Sequence, residues 1–264
     1  MSVMNSNQAN KDAQSLTDVR NLYLSLMKEC LSYLIYSDAR DALSLRYNPS
    51  DIMKKPEGLQ WPQQAHTMIG MKRLDNIQFC VEDVLNNHIE GDLIETGVWR
   101  GGAVIFMRAI LKAYGVQDRI AWAADSFAGL PMPDPEKYPA DKGDRHYKFS
   151  ELAISLEQVQ ANFAKYDLLD SQVQFLKGWF RDTLPNAPIK KLAVLRLDGD
   201  MYESTMDALV HLYPKLSVGG YIIVDDYGAI RQCRDAVHDY RNSHNITGEI
   251  KPIDWTGVYW QRTS

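Results

Sequence analysis

Apolar residues follow two rhythms along this chain, a helical one up to about residue 86 and an alternation of short strand and helix signals beyond it. Val19, Leu22, Tyr23, Leu26, Cys30, Tyr33 and Leu34 recur at three- and four-residue spacing and predict an amphipathic helix reaching about Ile35. Met68, Met71, Leu74, Ile77, Cys80, Val81 and Val84 predict a second, closed near Asn86-Asn87. Between the two, residues 38–65 carry Pro49, Pro56, Gly58 and Pro62 around Leu59 and Trp61, which reads as a loop or flap rather than a domain linker. Segment 1–12 is rich in Asn and Gln and reads as a disordered polar tail.

From residue 89 onward, Leu93-Ile94-Glu95, Ile120–Asp125, Val173–Leu176, Leu192–Leu197 and Tyr221–Val224 read as strands. Helices separate them. Ala103–Tyr114 is ended by Gly115, a helix opens at Ser155 with Gln158 placed for a capping box, and others cover Ser204–Leu216 and Arg231–Arg241. Gly219-Gly220 is expected to turn the chain into the fifth strand, and Ile250–Ile253 with Gly257–Trp260 to add two more, paired antiparallel. Repeated βα units predict an α/β fold with a doubly wound, mostly parallel, seven-stranded sheet. The expected organisation is a helical N-terminal addition and flap over 13–88 and an α/β catalytic domain over 89–264. Pro133, Pro135, Pro139 and Gly143 make 131–150 an irregular lid.

Composition narrows the class. The chain has 264 residues, 45% hydrophobic and 24% charged, as in an ordinary globular protein. A net charge of -5 argues against nucleic acid as a partner. Cys30, Cys80 and Cys233 lack metal-ligand spacing and are odd in number, so free thiols in a reducing compartment are expected. With no signal peptide or apolar span, a cytoplasmic protein without a membrane partner is the expectation.

The candidate chemistry lies at strand ends, where ligands of open α/β sheets collect. Leu192–Leu197 leads into Asp198-Gly199-Asp200, and Tyr221–Val224 leads into Asp225-Asp226. Four carboxylates converging on one crevice repel one another unless a hard divalent cation compensates them. The first strand runs into Glu95-Thr96-Gly97-Val98-Trp99-Arg100-Gly101-Gly102 and a helix, a context in which glycines let backbone N–H groups approach a nucleotide-type ligand. The spacing departs from the G-x-G-x-x-G of dinucleotide sites, so nicotinamide chemistry fits less well. Asp125, before Ser126-Phe127, is placed to accept from ribose hydroxyls, with helix capping as the alternative. Gly178-Trp179-Phe180-Arg181-Asp182 combines a flexible turn, a flat ring and a carboxylate that suit an adenine, although Trp179 is equally suited to core packing.

Together with His66-Thr67-Met68-Ile69-Gly70-Met71-Lys72-Arg73 and Tyr227, these blocks resemble the macrocin O-methyltransferase family over roughly residues 20–262. That family methylates sugar hydroxyls of natural products. The resemblance implies a class I methyltransferase fold, S-adenosylmethionine as donor and Mg2+ as metal. By position it implies Asp198, Asp225 and Asp226 as metal ligands and Asp200 as general base. The segment around Thr67 and Met68 would touch or cover the cofactor. A homodimer or larger even assembly is also implied, with the stripe from Val19 to Leu34 as a possible contact.

The chemistry asks for such residues. Displacement at a sulfonium methyl needs an aligned acceptor oxygen, and a divalent cation lowers the pKa of bound oxygen. Asp200 is the better base if Asp198 holds metal, although the two roles can be exchanged on spacing alone. Arg196, on an otherwise apolar strand, is expected to pair with Glu95 or an aspartate. Tyr202, Tyr227 and Trp99, and His146, Tyr147 and Lys148 in the lid, are candidates to contact the acceptor, with wall or solvent duty as the alternative. His238 and His244 are expected at the surface. A small hydroxylated natural product is the expected acceptor. A metal-dependent hydrolase would use the aspartates without needing the glycine loop or Asp125. A non-catalytic cofactor-binding protein would not need all four aspartates.

Overall fold

The structure, a computed structural model, describes residues 2–36 and 63–264. Of the flap expected at 38–65, the part through residue 62 lies outside the described residues. The first helix, α1 (Ser2–Leu31), extends through the segment read as a polar tail, which holds no Gly or Pro to stop it. Its buried face is Leu24, Met27 and Leu31, and Leu16, Val19, Leu22 and Leu26 face outward. The expected stripe therefore divides between two faces. Helix α2 (Met71–Asn86) buries Leu74, Ile77, Cys80, Val81 and Val84, the stripe its sequence carries.

Chain order then gives β1 (Asp92–Thr96), α3 (Gly102–Ala113), β2 (Ala121–Asp125), α4 (Leu156–Lys165), β3 (Val173–Lys177) and a short α5 (Phe180–Thr183). After these come β4 (Leu192–Leu197), α6 (Tyr202–Leu212), β5 (Leu216–Val224), α7 (Arg231–Ser243), β6 (Lys251–Pro252) and β7 (Val258–Gln261). Ser155 caps α4 by accepting from the Gln158 N–H at 3.2 Å. Strand β5 starts earlier than expected: Gly219 and Gly220 lie within it, at a register irregularity against β4, rather than before it.

The seven strands lie in the order β3-β2-β1-β4-β5-β7-β6, with β7 antiparallel to both neighbours. Strand order reverses between β1 and β4, so the crevice beyond their carboxyl ends is the switch point at which ligands of such sheets bind. Register brings the acidic tips level. Thr96 pairs with Leu197 and Leu197 with Val224, and the ladder continues as Asp198 N–H to Thr96 O and Asp225 N–H to Leu197 O, both 2.9 Å. One face of the sheet is packed by α1, α2 and α3 through Leu24, Leu74, Val104 and Phe106. The other is packed by α6 and α7 through Ala208, Leu209 and Val237.

Candidate active site

One cavity opens over the switch point, walled by the tips of β1, β2, β4 and β5, the strap before α2 and the lid. Gly97 adopts φ +84°, and a Cβ there would meet the Asp198 carbonyl oxygen at 1.6 Å, so the β1 and β4 loops touch only because this residue has no side chain. Asp125 ties the β2 tip to the same loop, accepting from Val98 N–H at 2.8 Å and Phe127 N–H at 2.7 Å. Burial raises its carboxyl above the usual range against these bonds. No helix begins at Asp125, which leaves it a cavity residue rather than a cap. The strap is held by Gly102 N–H to His66 O at 2.9 Å and by Arg100 to the carbonyls of Gln63 and Ala65, and it presents Thr67, Met68 and Ile69 to the cavity.

At the centre lies an ionic network. Arg196, fully buried, contacts Glu95, Asp198 at 2.7 Å and Asp225. Arg73 from α2 reaches the other oxygen of Asp225 and, at 2.9 Å, Asp254. Asp198, Asp225 and Asp226 each bring a carboxylate oxygen within 4.8 Å of the others. Asp200 is held in the left-handed region at φ +57° and donates its N–H to Asp226 Oδ2 at 3.1 Å.

Two guanidiniums do not neutralise Glu95, Asp198, Asp200, Asp225 and Asp226. Burial, then neighbouring Asp225, pushes Asp198 up to about 6. Burial and Asp198 push Asp200 up to about 7, and burial above all pushes Glu95 up to about 8. Asp226 rises as well, through burial and then Asp200. Such an excess of hard oxygen donors is what a divalent cation requires, and a cation there would keep these groups ionised.

Glu95, Gly97, Trp99, Asp125, Ser126, Trp179, Phe180, Asp198, Asp200, Asp225, Asp226, Thr67, Met68 and His146 all line this cavity. Other expected residues stand behind or beside it. Thr96 is buried beneath the loop, Arg100 holds the strap, Gly101 is the N-cap of α3, and Phe127 packs on Phe175 at 6.3 Å. Gly178 closes the ladder by donating its N–H to Asp125 O at 2.9 Å. Asp182 turns outward, 65% exposed, so Arg181, Glu203, Ser204 and Asp207 form the wall there. Tyr202 and Tyr227 bond instead to Asp239 at 3.0 Å and His238 at 2.8 Å, and Tyr147 sits under Lys148.

The lid is fastened at its middle and just beyond its C-terminal end. Asp141, fully buried, accepts from the N–H groups of Tyr202 (2.7 Å) and Glu203 (2.9 Å), capping α6 from 61 residues away. Asp144 accepts from His146 N–H and meets His146 Nδ1 at 2.7 Å, and Trp99 Nε1 donates to Glu151 O at 2.9 Å. Sequence reasoning missed Arg73, Asp141, Glu203 and Trp255. The partners of Asp141 and Asp254 are remote in sequence, and nothing local marks them.

Residues 18–262 match the macrocin-O-methyltransferase family. The chain belongs to that family. A tetracenomycin rhamnosyl 4'-O-methyltransferase of Streptomyces olivaceus is 54% identical, covering 94% of this chain and 95% of that one. The demethyldecarbamoylnovobiocin O-methyltransferase of Streptomyces niveus is also 54% identical, covering 92% and 94%. The solved structure of the O-methyltransferase NovP is 55% identical with a TM-score of 0.87, covering 93% of this chain and 100% of that one. The enzyme is thus an O-methyltransferase using S-adenosylmethionine, and its sheet is that of the class I methyltransferases. Among the described residues, no helix is long and apolar enough to cross a membrane.

Proposed function

We propose that the methyltransferase methylates a sugar hydroxyl of a glycosylated natural product with the aid of Mg2+ held by Asp198, Asp225 and Asp226. The observation that carries this reading is the approach of those three carboxylates to within 4.8 Å of one another, beside Asp200 and the glycine loop. The relatives' acceptors, a dimethoxyrhamnosyl tetracenomycin, demethyldecarbamoylnovobiocin and mycinamicin III, support the substrate class.

S-adenosylmethionine supplies the methyl group. In this reading Asp125 accepts from the ribose hydroxyls, the loop Glu95–Gly97 and Thr67-Met68 flank the cofactor, and Trp179 and Phe180 wall the adenine. A bound divalent cation acidifies oxygen that coordinates it. Asp200, oriented by its N–H bond to Asp226, takes the proton from the acceptor hydroxyl on a carboxylate oxygen. Arg196 and Arg73 fix the rotamers of Asp198 and Asp225. His146, steadied by Asp144, faces the acceptor, and the lid excludes water.

The reading treats 13–88 as an N-terminal addition, 89–264 as the catalytic domain and 131–150 as its lid. It places the enzyme in the cytosol, with no nucleic-acid or membrane partner. The outward Leu16, Val19, Leu22 and Leu26 of α1 support a homodimer or higher even oligomer. Incubating the enzyme with Mg2+, methyl-labelled S-adenosylmethionine and each of the three named acceptors tests the assignment. Label on a sugar oxygen, located by NMR, is expected; label on carbon or nitrogen, or none with any acceptor, would overturn it.

A further inference from the structure

Midway along the lid, the polar groups of residues 141–146 are bonded one to the next. Asp141 is held against α6 by the Tyr202 and Glu203 N–H groups, and its own carbonyl accepts from the Asp144 N–H at 3.0 Å. Gly143 between them takes φ +89°, a turn that side chains seldom allow. Asp144 then gives both carboxylate oxygens to one residue: Oδ1 accepts from the His146 N–H at 2.8 Å, and Oδ2 meets His146 Nδ1 at 2.7 Å. The Asp144 side chain is 2% exposed, so this pairing is shielded from water. The His146 ring also leans on Phe149, with centroids 5.8 Å apart.

An ionised carboxylate only accepts, so Nδ1 carries the ring's proton and, in the neutral imidazole, the lone pair sits on Nε2. The bond to Asp144 sets both that tautomer and the angle of the ring. The His146 side chain is 28% exposed and lines the cavity, so Nε2 is an oriented acceptor for a ligand. Which ligand follows from the anchorage. Tyr202 and Glu203, which hold Asp141, stand just after Asp200 in the chain, and His146 and Asp144 lie close enough to Asp200 for their charges to act on it. The cofactor's ribose, by contrast, is read at Asp125 on the tip of β2. The molecule between His146 and Asp200 is then the acceptor, and a sugar offers several hydroxyl donors around one ring.

We propose that His146 is a specificity-determining residue whose Nε2 accepts a hydrogen bond from a sugar hydroxyl of the acceptor other than the one methylated. This rests on the reading of the enzyme as a sugar methyltransferase. Asp200 takes the proton of one hydroxyl while His146 holds a second, and the pair fixes which oxygen faces the donor methyl. A sugar that lacks the second hydroxyl, or carries it already methylated, leaves Nε2 unpaired and is the poorer substrate.

The test is a cycle between enzyme and ligand, run on the full chain with Mg2+ and S-adenosylhomocysteine. Calorimetry measures binding of p-nitrophenyl α-L-rhamnopyranoside and its monodeoxy forms to the parent, His146→Asn and His146→Gln. The Asn amide keeps the place of Nδ1 beside Asp144 and loses Nε2, whereas the Gln amide reaches the place of Nε2. For one deoxy form the parent should bind about tenfold more weakly than it binds the full glycoside, and His146→Asn should bind the two alike. His146→Gln should recover most of the parent's discrimination, with affinity for S-adenosylhomocysteine unchanged in both variants. With S-adenosylmethionine, the oxygen methylated by the parent, located by NMR, should be a different one. The proposal is overturned if His146→Asn discriminates among the glycosides as the parent does, if the coupled hydroxyl is the one methylated, or if the parent binds no rhamnoside. A parent that binds the glycoside but transfers no methyl to it or to any named acceptor removes the proposed function, while the binding cycle still decides the role of His146.

Discussion

Arg196 Nη1 lies 2.7 Å from Asp198 Oδ2, so the last charged residue inside β4 grips the first carboxylate beyond it. The same guanidinium contacts Glu95 and Asp225, joining the tips of three adjacent strands. Replacing it by Met leaves buried carboxylates without their cation and should lower stability by about 3–5 kcal/mol. Chemical denaturation at neutral pH measures the loss. A Lys variant should recover only part of it, because one ammonium cannot span three carboxylates.

Asp200→Asn should leave affinity for S-adenosylhomocysteine within about twofold while lowering kcat by roughly 10²–10⁴, the range for loss of a general base. Calorimetry and steady-state assay on the same preparation separate the two effects. Near-parental turnover would move the base role to another residue.

How much of this was legible in the sequence depends on whether the cause is local. The apolar run Leu192–Leu197 is a strand from end to end, and the aspartates after it and after Val224 meet because parallel neighbours end level. Periodicity located α1 but misjudged its faces, since Leu24, Met27 and Leu31 keep helical spacing as well as Val19, Leu22 and Leu26 do. Asp182 looked apt for an adenine, but the short α5 turns it to solvent. Tyr202 and Tyr227 follow the motifs in sequence, yet each finds a partner on α7. Asp141 carried no local signal, because its role comes from contacts with α6.

Asp141→Ala removes the side-chain acceptor for two N–H groups at the start of α6. The cost should be about 1–2 kcal/mol, as for other lost caps. Limited proteolysis should then cut within 131–150 faster than in the parent. An unchanged cleavage rate would mean that the lid is held by its other contacts.

His66 gives a pH prediction. Burial, then Lys165 and Arg100, lowers its pKa to about 4, and the ring accepts or donates at 2.7 Å with Tyr166 Oη. Between its ordinary 6.5 and about 4 the unfolded chain binds a proton that the folded chain refuses, so stability falls as pH drops through that window. His66→Gln should lose less stability than the parent between pH 7 and pH 5, read from urea midpoints. Equal losses would contradict a neutral buried imidazole.

The most direct test of the metal-assisted transfer is S-adenosylhomocysteine formation by chelator-treated enzyme, with and without added Mg2+, in the parent and in Asp226→Asn. The account predicts that chelation abolishes the parent's rate, that Mg2+ restores it, and that Mg2+ restores almost none in Asp226→Asn. A parental rate unchanged by the chelator would contradict it.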